Sequence, residues 1–334
     1  MITLGILFAV LSGICNGLFT VPMKMIRHWR WENIWLVFIV SACVILPLAL
    51  VGVSVRDFRG LMDSSPKPSV YAALFFGFAW GFGAICFGLS VDRLGVSLAN
   101  TLVIGLSSAL GSFFPLLIQH GLRFEIRHAV LLSGVFCAIV GVVLCGRAGQ
   151  QRETVRGNPS SHRTLSAYLL CLCSGVLSAV FNIGYTLALP IADVGVRMGN
   201  SRFVSTNCIW LLMLGGGALP NIFYCVHLHR RHQSVSNYHG SGAALNWGLS
   251  LLMAALWGGS IFLYGAATPL LGDLGPSIGW PLSLAVGILV VNVMGMLLGE
   301  WQGAEKKTIR LMQFGILILL VAIFICAAST KVRG

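Results

Sequence analysis

The sequence predicts an all-α integral membrane protein of ten transmembrane helices, built as two inverted five-helix repeats. Three observations lead there. The 334-residue chain is 57% hydrophobic and only 10% charged, with a mean hydropathy of +0.87, whereas soluble domains carry about 25% charged residues. Its apolar residues fall into ten runs of about 20 residues, each long enough to cross a bilayer. One phrase is also written twice. FAWGFGAICFGLSVDRLG at 78–95 and LWGGSIFLYGAATPLLG at 256–272 place Trp80, Phe87 and Leu94 at the same spacing as Trp257, Tyr264 and Leu271. In hydrocarbon a span must satisfy its own backbone hydrogen bonds, so all ten are expected as helices.

Span one (3–22) carries Ser12, Gly13, Asn16, Phe19 and Thr20. It opens without a basic n-region or a small-residue cleavage site, and is expected to be retained. Span two (33–53) begins Ile34-Trp35-Leu36 and ends near Leu46-Pro47. Span three (70–91) holds Trp80, and span four (96–118) opens on Gly95-x-Ser97 and carries Asn100 and Thr101. Span five (128–146) completes a first repeat at 1–146. A basic connecting loop, RAGQQRETVRGNPSSHRT at 147–164, leads to a second repeat at 165–334. Span six (165–188) answers span one: Ser174, Gly175 and Phe181 echo Ser12, Gly13 and Phe19, and Asn182 and Tyr185 follow. Span seven (203–226) repeats Ile209-Trp210-Leu211, then Leu219-Pro220 two residues earlier than span two places its Leu-Pro. Span eight (244–266) holds Trp257, Ser260 and Tyr264; span nine (276–297) opens on Gly275-x-Ser277 and carries Trp280 and Asn292. Span ten (308–328) echoes span five only in a glycine. Five is odd, so the second copy enters the membrane upside down. Inverted repeats of this kind place a transport site at the midplane between the copies. The repeated Trp-Gly then reads either as two equivalent walls of a central cavity or as helix packing.

The net charge of +12 sits in short loops between spans, which points to membrane topology and not to nucleic acid. The distribution of Lys and Arg narrowly favours both termini outside. Cys43, Cys137, Cys145 and Cys171 read as small apolar packing residues. Away from their ends the spans hold no Asp, Glu, Lys, Arg or His, which argues against a charged substrate. Amide, hydroxyl and aromatic chemistry remains: Asn16, Thr20, Trp80, Asn100, Asn182, Trp257, Ser260, Tyr264 and Trp280 are the candidate substrate-binding residues, with Thr101 and Tyr185 beside them. That set suits a neutral sugar, whose hydroxyls take the paired donor and acceptor of Asn and whose apolar face lies on Trp or Tyr. Each Asn reads equally as an interhelical hydrogen bond worth about 0.6 kcal/mol, and Asn292, near a span end, reads best that way.

The ionisable residues Lys24, Asp92, Arg93 and Asp273 read as solvated or snorkelling boundary charges. Glu32 and Glu300 stand out because each adjoins a tryptophan, Trp31 and Trp301. A carboxylate partly withdrawn from water beside an aromatic exchanges protons near neutrality, so both are proton-coupling candidates; the alternative role is an aromatic-belt anchor. No nucleophile–base pair sits within the spans, which argues against an enzyme. No G-x-x-x-x-G-K-[ST] motif offers ATP as an energy source, and no cofactor is expected. HLHRRH at 227–232, the one His cluster, reads as a solvated basic turn rather than a metal site.

The stretches VPMKMIRHWRWENIW, ILPL, FAWGFGAICFGLSVDRLGVS, GRAGQQRE and GEWQGAEKK resemble the L-rhamnose–proton symporter family of the drug/metabolite transporter superfamily, from Pro22 to Lys307. The most specific pieces are Trp29–Glu32, Trp80–Gly83, Arg147–Gln150 and Glu300–Trp301. The resemblance implies a ten-helix, inverted-repeat fold and uptake of a 6-deoxyhexose with protons across a bacterial inner membrane. Its partners would be a small neutral sugar, protons and the bilayer. Two positions read as departures from the family pattern: Leu189 ahead of Pro190, in place of a basic residue, and GPSIGW at the start of span nine, without an acidic one. These bear on specificity and coupling more than on fold. The charge-free spans leave open an uncoupled facilitator or an exporter of a small neutral metabolite.

Overall fold

The computed structural model describes residues 2–120, 126–155, 161–271 and 280–329, and among these every regular element is a helix. Helix α1 (Ile2–Leu18) is followed by the short α2 (Val21–Met25). Helix α3 (Trp31–Val40) starts where the Arg30 N–H donates to the side chain of Asn33, 3.1 Å away. It runs through a π turn (Ser41–Ile45) into α4 (Leu46–Ser54) as one apolar span. In that turn the Leu46 N–H bonds back to the Ser41 carbonyl, just ahead of Pro47, which has no N–H to give. The short α5 (Phe58–Ser64) is capped by Asp57, whose carboxylate accepts from Gly60 N–H at 2.9 Å. Long helices follow: α6 (Lys67–Leu94), α7 (Val96–His120), α8 (Ile126–Val155), α9 (Ser161–Arg197) and α10 (Arg202–His232). A 3₁₀ turn (Ser234–His239) leads to α11 (Ala243–Leu270), α12 (Trp280–Leu297) and α13 (Lys306–Ser329).

Among the described residues, 8 helical segments are long and apolar enough to cross a membrane, and Val96–Ser107 and Leu282–Leu297 are shorter apolar helices. The chain is thus a multi-pass integral membrane protein. The basic connector is largely helical, since α8 continues to Val155 and α9 opens at Ser161. The repeat residues Gly275 and Ser277, and Asp273, lie outside the described residues.

The chain divides into two compact units. One takes Met1–Val21, Cys86–Ala179 and Gly259–Gly334; the other takes Pro22–Ile85 and Val180–Gly258. In the first, α8 packs along α13 and α1 along α12, with α7 against both α8 and α12. Glycines set these distances, because lipid tails supply no hydrophobic drive between helices and close backbone approach must do the work. A methyl group on Gly13 of α1 would sit 2.7 Å from Val286 Cβ of α12, and one on Gly17 would sit 2.8 Å from Val290 Cβ. In the second unit α10 packs on α3 and α4. Its backbone meets α6 so closely that a methyl on Gly77 would lie 2.7 Å from Met213 Cα. Val53, Phe136, Phe223 and Leu297 are exposed, as lipid-facing side chains of such helices must be.

Candidate functional site

The two tryptophans of the repeated phrase meet in the second unit. Trp80 of α6 and Trp257 of α11 are both half-buried, and their rings stack 5.7 Å apart at an interplanar angle of 15°. From Trp80 the aromatic series continues through Phe181 (5.0 Å) to Trp210 (6.0 Å) and Tyr185 (4.9 Å). From Trp257 it continues through Phe38 (5.9 Å) to Trp35 (5.0 Å) and Trp31 (5.3 Å). Asn221 of α10 holds this row in place. It accepts from Trp35 Nε1 at 2.8 Å and donates its amide hydrogens to the carbonyls of Gly81 (2.9 Å) and Gly217 (2.8 Å). Trp31 Nε1 is a buried donor without a partner among the described residues. Stacked indoles offer an apolar face and an N–H edge to a sugar ring.

Glu32 lies in the same unit, in the first turn of α3 and only 2% exposed. Its Oε1 accepts from Ser234 Oγ at 2.8 Å and pairs with His232 Nδ1 at 2.9 Å. Ser234 Oγ also meets His229 Nδ1 at 2.8 Å, and His229 Nε2 meets the Tyr238 hydroxyl at 3.0 Å. Tyr238 lies 3.3 Å from the Asn33 carbonyl, and Asn33 Nδ2 donates to the Ser234 carbonyl at 2.9 Å. The arrangement follows helix electrostatics: a carboxylate at the start of α3 faces imidazoles at the end of α10, each at the pole that favours it. Gln233, in the left-handed region at φ 51°, turns the chain sharply enough to bring the 3₁₀ turn back onto α10. Burial pushes the Tyr238 phenol above its ordinary range. HLHRRH is therefore not the solvated turn that its charge suggests. It is the last turn of α10, with His229 buried and Arg230 and Arg231 exposed. His229 and His232, three residues apart on a helix, share one face, and that spacing is the signal in the sequence.

Glu300 lies in the first unit. Its carboxylate accepts from the N–H groups of Val96 (2.7 Å) and Ser97 (3.0 Å), closing the N-terminus of α7. Gly95 makes room: its φ is +88°, and a methyl there would sit 2.6 Å from Glu300 Oε1. Arg152, 3% exposed, donates to the Leu94 carbonyl at the end of α6 (2.8 Å) and lies 5.0 Å over the Trp301 ring. GRAGQQRE and GEWQGAEKK thus converge on the corner between α6 and α7. Trp301 Nε1 donates to Ser97 Oγ (3.3 Å), Ser97 Oγ to Asn292 Oδ1 (2.6 Å), and Asn292 Nδ2 to Thr101 Oγ1 (2.7 Å).

The remaining candidates are also placed in the first unit, apart from Asn182. Asn100 donates to Thr20 Oγ1 (3.1 Å) and to the Val96 carbonyl (2.8 Å), with both side chains essentially inaccessible. Ser260 is 5% exposed, and its carbonyl accepts from Ser12 Oγ at 2.7 Å. Asn16 is half-buried beside Gly287 of α12, and Tyr264 is half-buried on α11. The backbones of Asn182 and Trp280 belong to α9 and α12, and their side chains lie outside the described residues.

Comparison with known proteins matches residues 1–330 to the family model described as L-rhamnose-proton symport protein. Similar curated proteins include the L-rhamnose-proton symporters of Cronobacter sakazakii (28% identical, 96% of each chain) and Klebsiella pneumoniae (27%, 96% of each). That of Salmonella typhi is 25% identical over 96% of each chain.

Proposed function

This chain belongs to the L-rhamnose-proton symport protein family, and from that membership we propose a secondary transporter, not an enzyme, that takes up L-rhamnose or a related deoxyhexose with protons by alternating access. The full-length family match carries the reading. The geometry supports it through a half-buried, stacked aromatic pair suited to a sugar face and a buried carboxylate wired to histidines. We assign the sugar's apolar face to Trp80 and Trp257, with Asn16, Asn182, Tyr264 and Trp280 as further candidates. Proton coupling goes to Glu32. Glu300 serves as a helix cap, since both its oxygens are engaged by backbone N–H groups. Thr20, Asn100 and Ser260 act as interhelical links.

We further read the eight long spans and the two shorter apolar helices as ten spans in two inverted repeats, 1–146 and 165–334, in a bacterial inner membrane. One pair of contacts supports this. Gly13 of span one packs on Val286 of span nine, and Gly175 of span six packs on Leu106 of span four, each with a would-be methyl 2.7 Å away. The sequence repeat aligns Gly13 with Gly175 and, through Gly95 and Gly275, Leu106 with Val286. A contact and its repeat-related partner are what two rocking halves of one ancestor would make.

The test is labelled L-rhamnose uptake into liposomes holding the pure protein, with and without an inward proton gradient. Concentrative uptake only with the gradient is the expected result. Equilibration indifferent to the gradient would overturn coupling, and no uptake in either condition would overturn the substrate.

A further inference from the structure

We propose that His229 is a buried proton-binding site, loaded through Tyr238 and balanced by the Glu32 carboxylate, and that it holds the proton carried in transport. Hydrogen counting leads there. Ser234 and Tyr238 each own one hydroxyl hydrogen. Ser234 spends its hydrogen on the Glu32 carboxylate, so the Ser234 oxygen must accept from His229, and His229 Nδ1 carries hydrogen. Tyr238 has two acceptors in reach, His229 Nε2 at 3.0 Å and the Asn33 carbonyl at 3.3 Å. If the phenol donates to Nε2, His229 is neutral. If it turns to Asn33, Nε2 must carry hydrogen and donate to the phenol oxygen, and His229 is an imidazolium.

The same heavy atoms therefore satisfy every partner in both charge states, and one rotating hydroxyl hydrogen separates them. A buried imidazole ordinarily loses hydrogen bonds or must move when its charge changes. Here neither cost arises, and the Glu32 carboxylate balances the added charge one hydroxyl away.

Loading balances from the Nδ1–H ring. The Tyr238 hydroxyl passes its hydrogen to His229 Nε2 as the oxygen of this partly exposed phenol takes one from water and turns it to the Asn33 carbonyl. His229 then holds both hydrogens, and Glu32 stays a carboxylate. Among the described residues, Cys225 is buried on α10 near Glu32, and Arg30, Arg230, Arg231 and His239, adjacent to the cluster in sequence, are exposed. Trp29 and Trp247 close over Tyr238, at ring distances of 5.1 and 5.3 Å.

The transport role rests on the coupled-uptake reading; the proton site does not. Nitrogen-15 NMR of histidine-labelled protein in liposomes tests the site itself. Among the signals of the 8 histidines, the one from His229 should pass from a single-N–H ring to an imidazolium as the pH is lowered. That signal should vanish in His229→Gln and shift in Tyr238→Phe. A His229 ring that keeps one neutral tautomer throughout would overturn the proposal. In transport, His229→Gln should keep rhamnose counterflow, which needs no net proton movement, and lose at least tenfold of gradient-driven accumulation. Accumulation at the native level would overturn the role. Should that variant fail to fold, Tyr238→Phe carries the same comparison, expected to shift the pH dependence of accumulation, with an unmoved profile overturning the role. Native protein that titrates at His229 but never accumulates sugar would instead defeat the coupling reading alone.

Discussion

Trp80 and Trp257 are half-buried and stack on each other. An aromatic contact of this kind is worth about 0.5–1.5 kcal/mol beyond area burial. Trp80→Ala and Trp257→Ala should each weaken L-rhamnose binding by about tenfold while the helices stay folded, read by calorimetric titration. Phenylalanine in either place should restore part of the affinity. The two glutamates should part company under the same isosteric change. Glu300→Gln should lower the thermal midpoint, since a charged helix cap is worth about 1 kcal/mol, and leave gradient-driven accumulation intact. Glu32→Gln should keep sugar counterflow and abolish accumulation. Equal effects of the two on accumulation would refute the division of roles.

At the scale of the element, Gly95 shows how one residue decides where a helix begins. Its φ of +88° and the carboxylate at its flank leave no place for a methyl, so Gly95→Ala should destabilise by more than about 1 kcal/mol, measured by thermal unfolding in detergent. Eight of the spans were legible in the sequence because hydropathy reports what a bilayer demands. The Glu32 cluster was not. Helix α10 continues past its apolar stretch through His232, and hydropathy cannot distinguish a polar final turn from a loop. Its partners also lie about 200 residues from Glu32 in sequence, so no local spacing announces them. Glu300 was singled out for its neighbour Trp301, whereas its hydrogen bonds come from N–H groups 203 and 204 residues away. Repetition did draw attention to Trp80 and Trp257, but a repeat says that two residues correspond, not that their rings stack.

For the whole molecule, the repeat-related glycine contacts make a prediction of symmetry. Gly13→Leu and Gly175→Leu each drive a side chain into a packed neighbour, Val286 or Leu106. The two should lower thermal stability and insertion yield by similar amounts; a large effect of one and none of the other would count against the repeat. The π turn at Ser41–Ile45 carries a different kind of information. Leu-Pro stands two residues further from Ile-Trp-Leu in the first copy than in the second, and this wide turn lies between those two landmarks. A π turn closes one residue later than an α turn, so it absorbs one inserted residue without rotating the helical turns beyond it. On the repeat reading, the turn is a mark of descent: a duplicated gene lengthened in one half, and the helix stored one of the two extra residues as a bulge.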